Sequence, residues 1–289
     1  MAGLKVGCQL IIFGRERIAN DLAGVFRVLA DAGYAGAEVG DLSGQIGAAD
    51  LKKLLSGLGL QLVGTHVGFD ALKGDVGRLC DYLAQAGGTH LICSGVGDRT
   101  KGLATYEEAA SLMNEVGKEV ARRGLTFCYH NHSFEFEKFA GDARRLLARE
   151  PGPSRDQRVG AAAEAPAAGA RQPDAGEKRS FTALLRLFEL TDPAAVKLCI
   201  DTYWVHHGGE DPAAFVRRYA DRTAILHLKD MKEGTFAEVG QGVLDFPAIL
   251  KAVAGKPVTW AVVEQDRTTR TPEESVRLSR EYLKKRLGL

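Results

Sequence analysis

Short apolar runs alternate with longer amphipathic segments along this chain. Eight runs have the length and apolar character of strands: 4–10, 36–39, 60–66, 90–94, 125–130, 196–201, 224–229 and 259–264. Between them, segments such as 18–33 place apolar side chains at helical spacing, with Gly33 as the expected helix end. Thr271, Pro272 and Glu274 have the order of a capped helix start and predict the last helix.

Eight strands, each followed by a helical segment, predict a closed (β/α)8 barrel of the TIM-barrel type. Such a barrel needs about 250 residues, so the 289 residues of this chain fit one barrel domain over 1–289. A doubly wound open sheet would carry a glycine-rich phosphate loop after the first strand. No such loop follows residues 4–10, which favours the barrel.

One segment interrupts the alternation of strands and helices. Residues 150–178 are rich in alanine, glycine, proline and charge, and Val159 is their only branched apolar residue. Such a composition cannot bury enough apolar surface to offset the entropy lost on ordering. We expect a disordered, low-complexity insertion within the barrel domain, in the helical region after the fifth strand.

Composition and charge narrow the classes of protein. Apolar residues make up 45% of the chain, and the net charge of +1 gives no bulk attraction to nucleic acid or to an anionic membrane. No run approaches the roughly 20 apolar residues of a membrane span, and the first residues lack the features of an export signal. The five cysteines form no CxxC pair and are expected to be reduced core residues. These features favour a cytoplasmic protein.

Four side chains that can bind a cation follow four successive strand candidates in the second half of the chain. They are Glu135, Asp201, His227 and Glu264. The carboxyl ends of the strands of a parallel barrel all meet at one mouth, so these groups are expected to converge there. Three carboxylates and one imidazole suit Mn²⁺, Mg²⁺, Co²⁺ or Zn²⁺ and discriminate little among them.

A cation held in this way suggests chemistry on a sugar or polyol. It would polarise a hydroxyl and a neighbouring carbonyl and stabilise the enediolate left when an adjacent C–H loses its proton. Glu135 and Glu264 are the expected proton carriers, which predicts a sugar isomerase or epimerase. If a β-hydroxyl leaves from the same intermediate, the reaction is instead a dehydration.

At this point the chain resembles the xylose isomerase-like TIM barrels, also called the sugar phosphate isomerase/epimerase family. The resemblance covers nearly the whole chain outside the insertion and is carried by YHNHSFEF (129–136), IDTYWVHHGGEDP (200–212), LHLKDM (226–231), EVGQGVLDF (238–246) and VVEQD (262–266). In ketose 3-epimerases of this family, a Glu, Asp, His, Glu set binds the metal and the two glutamates transfer protons. The resemblance implies these roles for Glu135, Asp201, His227 and Glu264.

The chain also departs from the epimerases of the family. Trp204 stands where they carry a histidine, and Lys229 lies where they carry an arginine-bearing loop. The YHNH motif is similar to that of family members resembling inosose dehydratase and of enzymes that act on 3-keto-glycosides. The alternative function is therefore a metal-dependent dehydratase of a keto-inositol or 3-keto-glycoside, with His130 as the rival of Glu135 for the strand-five ligand.

Five residues are expected to contact the substrate: His66, His130, Trp204, His206 and Lys229. His66 ends the third strand, where the resemblance implies a substrate-binding histidine. Lys229 lies two residues after His227 and so shares its face of the strand. We expect a small sugar or polyol as the substrate and no nucleic-acid or membrane partner, and a homodimer because such barrels often pair. The other alternative functions are a DNA-repair endonuclease, which needs more metal ligands and a basic DNA-binding face, and a non-catalytic sugar-binding protein.

Overall fold

A computed structural model describes residues 3–140 and 180–289 of the chain. Its centre is a closed barrel of eight parallel strands, in the spatial order β1-β8-β7-β6-β5-β4-β3-β2. These strands are β1 Lys5–Gln9, β2 Gly36–Gly40, β3 Gln61–Gly68, β4 His90–Ser94, β5 Thr126–His130, β6 Lys197–Asp201, β7 Thr223–Leu228 and β8 Trp260–Val263. The predicted barrel is confirmed, and every strand bound lies within two residues of its predicted position.

Helices surround the barrel. In the described ranges they are α1 Arg15–Asn20, α2 Leu22–Ala32, α3 Ala48–Gly57, α4 Val76–Gln85, α5 Leu103–Arg122, α6 Ala183–Leu190, α7 Thr202–His207, α8 Pro212–Tyr219, α9 Phe246–Ala252 and α10 Pro272–Leu287. Gly33 ends α2 in the left-handed conformation with φ 87°, as its sequence position predicts. Thr271 caps α10 by accepting a hydrogen bond from the Glu274 N–H. Both predicted helix boundaries are thus confirmed.

The alternation of side chains along each strand divides the core into two layers. Inside the barrel lies a small cluster that includes Val63, Ile92, Cys128, Cys199 and Val262. A much larger cluster, built by the other face of the strands and the inner faces of the helices, surrounds it. All five cysteines are free and buried, which confirms their predicted place in the core.

The register of the strands brings polar residues together at the carboxyl-terminal mouth. Asp201 pairs with His227 across β6 and β7, and His130 pairs with Cys199 across β5 and β6. On the other side of the barrel, Gly40 of β2 pairs with His66 of β3. Because parallel strands point the same way, these residues lie at one end of the barrel.

Among the described residues, two short antiparallel strand pairs lie outside the barrel. Asp230–Lys232 pairs with Thr235–Ala237 directly after β7. Lys138–Ala140 pairs with Ser180–Thr182, a short strand that directly precedes α6. Thr182 accepts a hydrogen bond from the Leu185 N–H and so fixes the start of the helix.

The predicted insertion over 150–178 lies outside the described residues. Within the described ranges, no helix is both long enough and apolar enough to cross a membrane.

Candidate active site

Four buried side chains converge at the barrel mouth. One ligand atom from each of His130, Asp201, His227 and Glu264 lies within 4.8 Å of the others. A cation with ligand distances of about 2.1 Å spans about 4.2 Å across its coordination sphere. The four groups are therefore close to the spacing of a single cation site, and we call them the ligand cluster.

Asp201 provides the clearest sign that the ligand cluster fits a cation. Its Oδ1 accepts a hydrogen bond from the Trp204 N–H at 3.0 Å and caps α7. Its Oδ2 is buried without a hydrogen-bond partner, and the nearest cation among the described residues, Lys229 Nζ, lies 3.7 Å away. Burial raises the pKa of Asp201 to about 7, although the charge of Lys229 acts to lower it. A buried carboxylate oxygen of this kind is stabilised by a bound cation.

The two imidazoles of the ligand cluster are in different electrostatic environments. Burial and the neighbouring histidines hold the pKa of His130 well below its usual value, so this ring is neutral and has no proton to release when a cation binds. His227 lies between two carboxylates, with Nδ1 against Glu264 Oε2 and Nε2 3.0 Å from Glu38 Oε2. Burial alone would lower the pKa of His227, but Cys199, Glu38 and Glu264 raise it well above its usual value.

Lys229 supplies the positive charge beside the ligand cluster. Its side chain is 1% exposed, and its Nζ lies 3.4 Å from Glu264 Oε1 and also pairs with Asp266. Burial acts to lower the pKa of Lys229, but Glu264, Asp201 and Asp266 together raise it. Lys229 is therefore protonated at neutral pH. In turn, Lys229 and His227 overcome the effect of burial and hold the pKa of Glu264 well below its usual value.

The structure places Glu135 outside the ligand cluster. Glu135 lies in a short turn, Phe134–Phe136, five residues after β5 ends. Its Oε1 accepts a hydrogen bond from the Tyr129 hydroxyl at 2.6 Å, and its Oε2 accepts one from the His132 N–H at 2.8 Å. Tyr129 alternates with His130 along β5 and packs in the outer layer of the core. Bonding to Tyr129 therefore directs the Glu135 carboxylate away from the barrel interior.

Three of the remaining expected residues lie next to the ligand cluster. The ring centroid of His66 is 5.1 Å from that of His130 and 5.6 Å from that of His227. Lys229 Nζ lies 5.0 Å from the centroid of the Trp204 ring, whose Nε1 is buried without a hydrogen-bond partner. His206 is different, because it is exposed at the end of α7. Among the described residues, it makes none of the ring contacts or hydrogen bonds that connect the site residues to one another.

A model of the xylose isomerase-like TIM barrel family matches residues 26–286, nearly the whole chain. This protein belongs to that family. The family resemblance of its strand-end motifs is thereby confirmed.

Curated relatives of this xylose isomerase-like barrel include an inosose dehydratase from Geobacillus kaustophilus, 33% identical over 120 residues that cover 34% of this chain and 39% of the relative. The match thus spans about two fifths of the relative's length.

Solved structures with the same fold include a sugar phosphate isomerase/epimerase from Parabacteroides distasonis, with a TM-score of 0.74, 22% identity and coverage of 98% of this chain and 94% of the other. A probable 3-DHS dehydratase from Bacillus anthracis has a TM-score of 0.68 and 11% identity, and the match covers 98% of this chain and all of the other. At these identities the likeness shows the fold alone.

Two contacts of this xylose isomerase-like barrel were not predicted from the sequence. Asn131 Oδ1 accepts a hydrogen bond from the Asp201 N–H at 3.0 Å and so joins the ends of β5 and β6. Glu38 contacts both His66 and His227. The sequence does carry one indication that Glu38 belongs to the site, because it is an acidic residue within the otherwise small and apolar strand 36–39.

We expect the stability of this protein to depend on pH through Glu135. Burial raises its pKa to about 7 from the usual 4.5, so the folded chain binds a proton more tightly than the unfolded chain. The stability that this proton supplies is complete below about pH 4.5 and is lost as the pH rises towards 7; at 1.36 kcal/mol per unit, the difference is about 3 kcal/mol. The measurement is the free energy of unfolding in urea, for wild type and for Glu135→Gln, from pH 5 to pH 8. Wild type should lose more stability than the variant, and parallel curves would contradict this assignment.

Proposed function

We propose that this protein is a divalent-cation-dependent enzyme that removes water from a polyhydroxy ketone through an enediolate. The observation that carries the proposal is the ligand cluster of His130, Asp201, His227 and Glu264 beside the protonated Lys229. We assign the strand-five ligand to His130 because Glu135 is hydrogen-bonded elsewhere. Mn²⁺, Mg²⁺, Co²⁺ and Zn²⁺ all suit two imidazoles and two carboxylates.

The bound cation would act as a Lewis acid on the substrate carbonyl. His66 lies beside the ligand cluster, and burial lowers the pKa of its ring, so it is neutral and able to accept the proton of the C–H next to the carbonyl. The ammonium of Lys229 would stabilise the negative charge that develops on the substrate oxygen. Protonated His66 would then return its proton to the departing β-hydroxyl, which leaves as water.

Elimination fits the site better than epimerisation because of where Glu135 lies. Epimerisation through an enediolate needs proton carriers on both faces of the intermediate, and the expected pair was Glu135 and Glu264. Elimination needs one base beside the leaving hydroxyl. The inosose dehydratase from Geobacillus kaustophilus is among the relatives of this chain, and we propose a keto-inositol or a 3-keto-glycoside as the substrate.

A sugar isomerase or epimerase is the second candidate. It is favoured by the presence of two separate proton acceptors around the ligand cluster. His66 lies beside His130 and His227, whereas Glu264 lies on the side of Lys229. These two groups could act on different faces of an enediolate. For either reaction, a cytoplasmic location and a homodimer stay predictions.

One incubation distinguishes the two reactions. The protein is mixed with Mn²⁺ and an inosose or a 3-keto-glucoside in deuterated water, and the products are followed by ultraviolet absorbance and mass spectrometry. We expect an enone absorbance and loss of the mass of one water. Deuterium uptake with interconversion of ketones, and no water loss, would favour the isomerase. If neither occurs while Mn²⁺ is verified to be bound, both proposals fail.

Removing the cation is expected to abolish turnover without unfolding the barrel. Chelation leaves the buried Asp201 without its cation, but Lys229 and His227 still balance much of the negative charge. The measurement is activity and circular dichroism before chelation, after it, and after Mn²⁺ is restored. Activity that persists in protein shown by elemental analysis to be metal-free would rule out the cation.

A further inference from the structure

A cavity of about 390 Å³ lies at the end of the barrel opposite the ligand cluster. Lys5, Gln61 and Trp260 begin β1, β3 and β8, and all three line this cavity. Because parallel strands run the same way, the cavity lies at the amino-terminal end of the barrel, whereas the ligand cluster lies at the carboxyl-terminal mouth. The cavity is therefore separate from the candidate active site. Its volume is within the range of about 300–1,000 Å³ that is typical of sites for small molecules.

This cavity has an apolar floor and a polar rim. The floor is made of buried side chains, those of Leu55, Leu60, Leu62, Ala86 and Trp260. The rim is made of exposed residues, among them Lys5, Lys52, Ser56, Gln61 and Thr89. An apolar surface with a few polar groups around it is the usual composition of a site for an organic molecule.

The charge of the rim is positive. Among the described residues, two lysines line the cavity and no carboxylate side chain does. The ammonium of Lys5 donates a hydrogen bond to Gln61 Oε1 at 2.8 Å and lies 5.4 Å from the centroid of the Trp260 ring. The aliphatic stem of Lys52 passes beside Gly87, whose left-handed φ of 83° favours glycine. Two ammonium groups thus lie at the rim with no carboxylate among the lining residues to neutralise them.

The ends of two helices offset part of this positive charge. Ser56 lies in the last turn of α3 and Ala86 caps the end of α4, so both helices end at the cavity. The carboxyl-terminal end of a helix is equivalent to about half a negative charge. Two half charges are smaller than the two full charges of Lys5 and Lys52, so a net charge of about +1 is left at the rim. The cavity therefore favours an anion.

We propose that this cavity is a second small-molecule site, which binds an organic anion with an apolar body. The apolar body would pack on the leucines of the floor and on the Trp260 ring, and the anionic group would contact the ammonium groups of Lys5 and Lys52. Burial of apolar surface would supply most of the affinity. Each exposed lysine would add about 1.5- to 5-fold, as is typical of ion pairs at a surface. The site does not depend on the reaction proposed for the mouth.

The test uses 2-naphthoate as an anionic probe and 2-naphthamide as its neutral counterpart. Calorimetry gives the Kd of each probe for wild type and for a double variant, Lys5→Met with Lys52→Met. The matched control is Lys53→Met, because Lys53 is a neighbouring exposed lysine of α3 that does not line the cavity. The position of the probe is read from the indole N–H signals of the two tryptophans by ¹H–¹⁵N NMR, assigned with Trp204→Phe.

We expect 2-naphthoate to bind wild type more tightly than 2-naphthamide and to shift the indole signal of Trp260 but not that of Trp204. In the double variant, the Kd for 2-naphthoate should rise about 2- to 25-fold, whereas Lys53→Met should match wild type. The inference is overturned if 2-naphthoate does not bind wild type with a Kd below about 1 mM, or if it shifts only the Trp204 signal. An unchanged Kd in the folded double variant would also overturn it. If that variant does not fold, wild type still decides, because equal Kd values for the two probes would contradict an anion site.

Discussion

Replacing Asp201 with asparagine is expected to abolish cation binding and turnover while the barrel stays folded. Asp201 has two duties, since Oδ1 caps α7 and Oδ2 faces the ligand cluster. Asparagine can still accept the hydrogen bond from the Trp204 N–H, so the cap is kept, but the charge that attracts the cation is lost. The loss of Mn²⁺ affinity should exceed the roughly 10- to 100-fold that is typical when a carboxylate that only orients a metal-bound histidine is removed.

The measurement is the Kd for Mn²⁺ together with the melting temperature. Asp211→Asn is the matched control, because Asp211 caps α8 by the same contact, to the Ala214 N–H, outside the site. His227→Ala should lose cation binding in the same way. If Asp201→Asn binds Mn²⁺ as tightly as Asp211→Asn, the residue is no ligand.

Replacing Lys229 with methionine should lower kcat by about 10²- to 10³-fold, the effect typical of removing one group that stabilises a developing negative charge. Lys229 is buried, and its raised pKa means that it acts as a fixed positive charge rather than as a proton donor. Cation affinity should stay the same or increase, because Asp201 and Glu264 lose a competing positive charge. This separation of kcat from cation affinity distinguishes Lys229 from the ligands.

Steady-state kinetics and Mn²⁺ titration of Lys229→Met provide the measurement. Lys256→Met serves as control, because Lys256 pairs only with Asp221, at 2.9 Å, among the described residues and lies far along the chain from the ligand cluster. A Lys229→Met variant with the kcat of wild type would remove Lys229 from the reaction. A variant that loses cation binding would instead show that the lysine organises the ligands.

The barrel could be predicted from the sequence because each of its strands carries a local signal. Strands buried on both faces appear as short apolar runs, and the helices between them have their own spacing and caps. Asp201 and His227 end two such strands, and the register of β6 and β7 pairs them directly. Their convergence follows from topology alone, without any knowledge of side-chain contacts.

The position of Glu135 could not be predicted in this way. The strand ends at His130, and the path of the next five residues depends on a turn that the Tyr129 hydroxyl and the His132 N–H stabilise. Those contacts are tertiary. The alternation of side chains along a strand does not predict the direction of a side chain that lies beyond the end of the strand. The contacts of Glu38 have the same origin, because they join β2 to β3 and β7 across the barrel mouth.

The most direct test of this account is anomalous diffraction from crystals of the protein soaked with Mn²⁺. The account predicts one strong peak per chain at the barrel mouth, within coordination distance of His130, Asp201, His227 and Glu264. A peak bound by Glu135 in place of His130, or no peak at this mouth when Mn²⁺ is saturating, would contradict it.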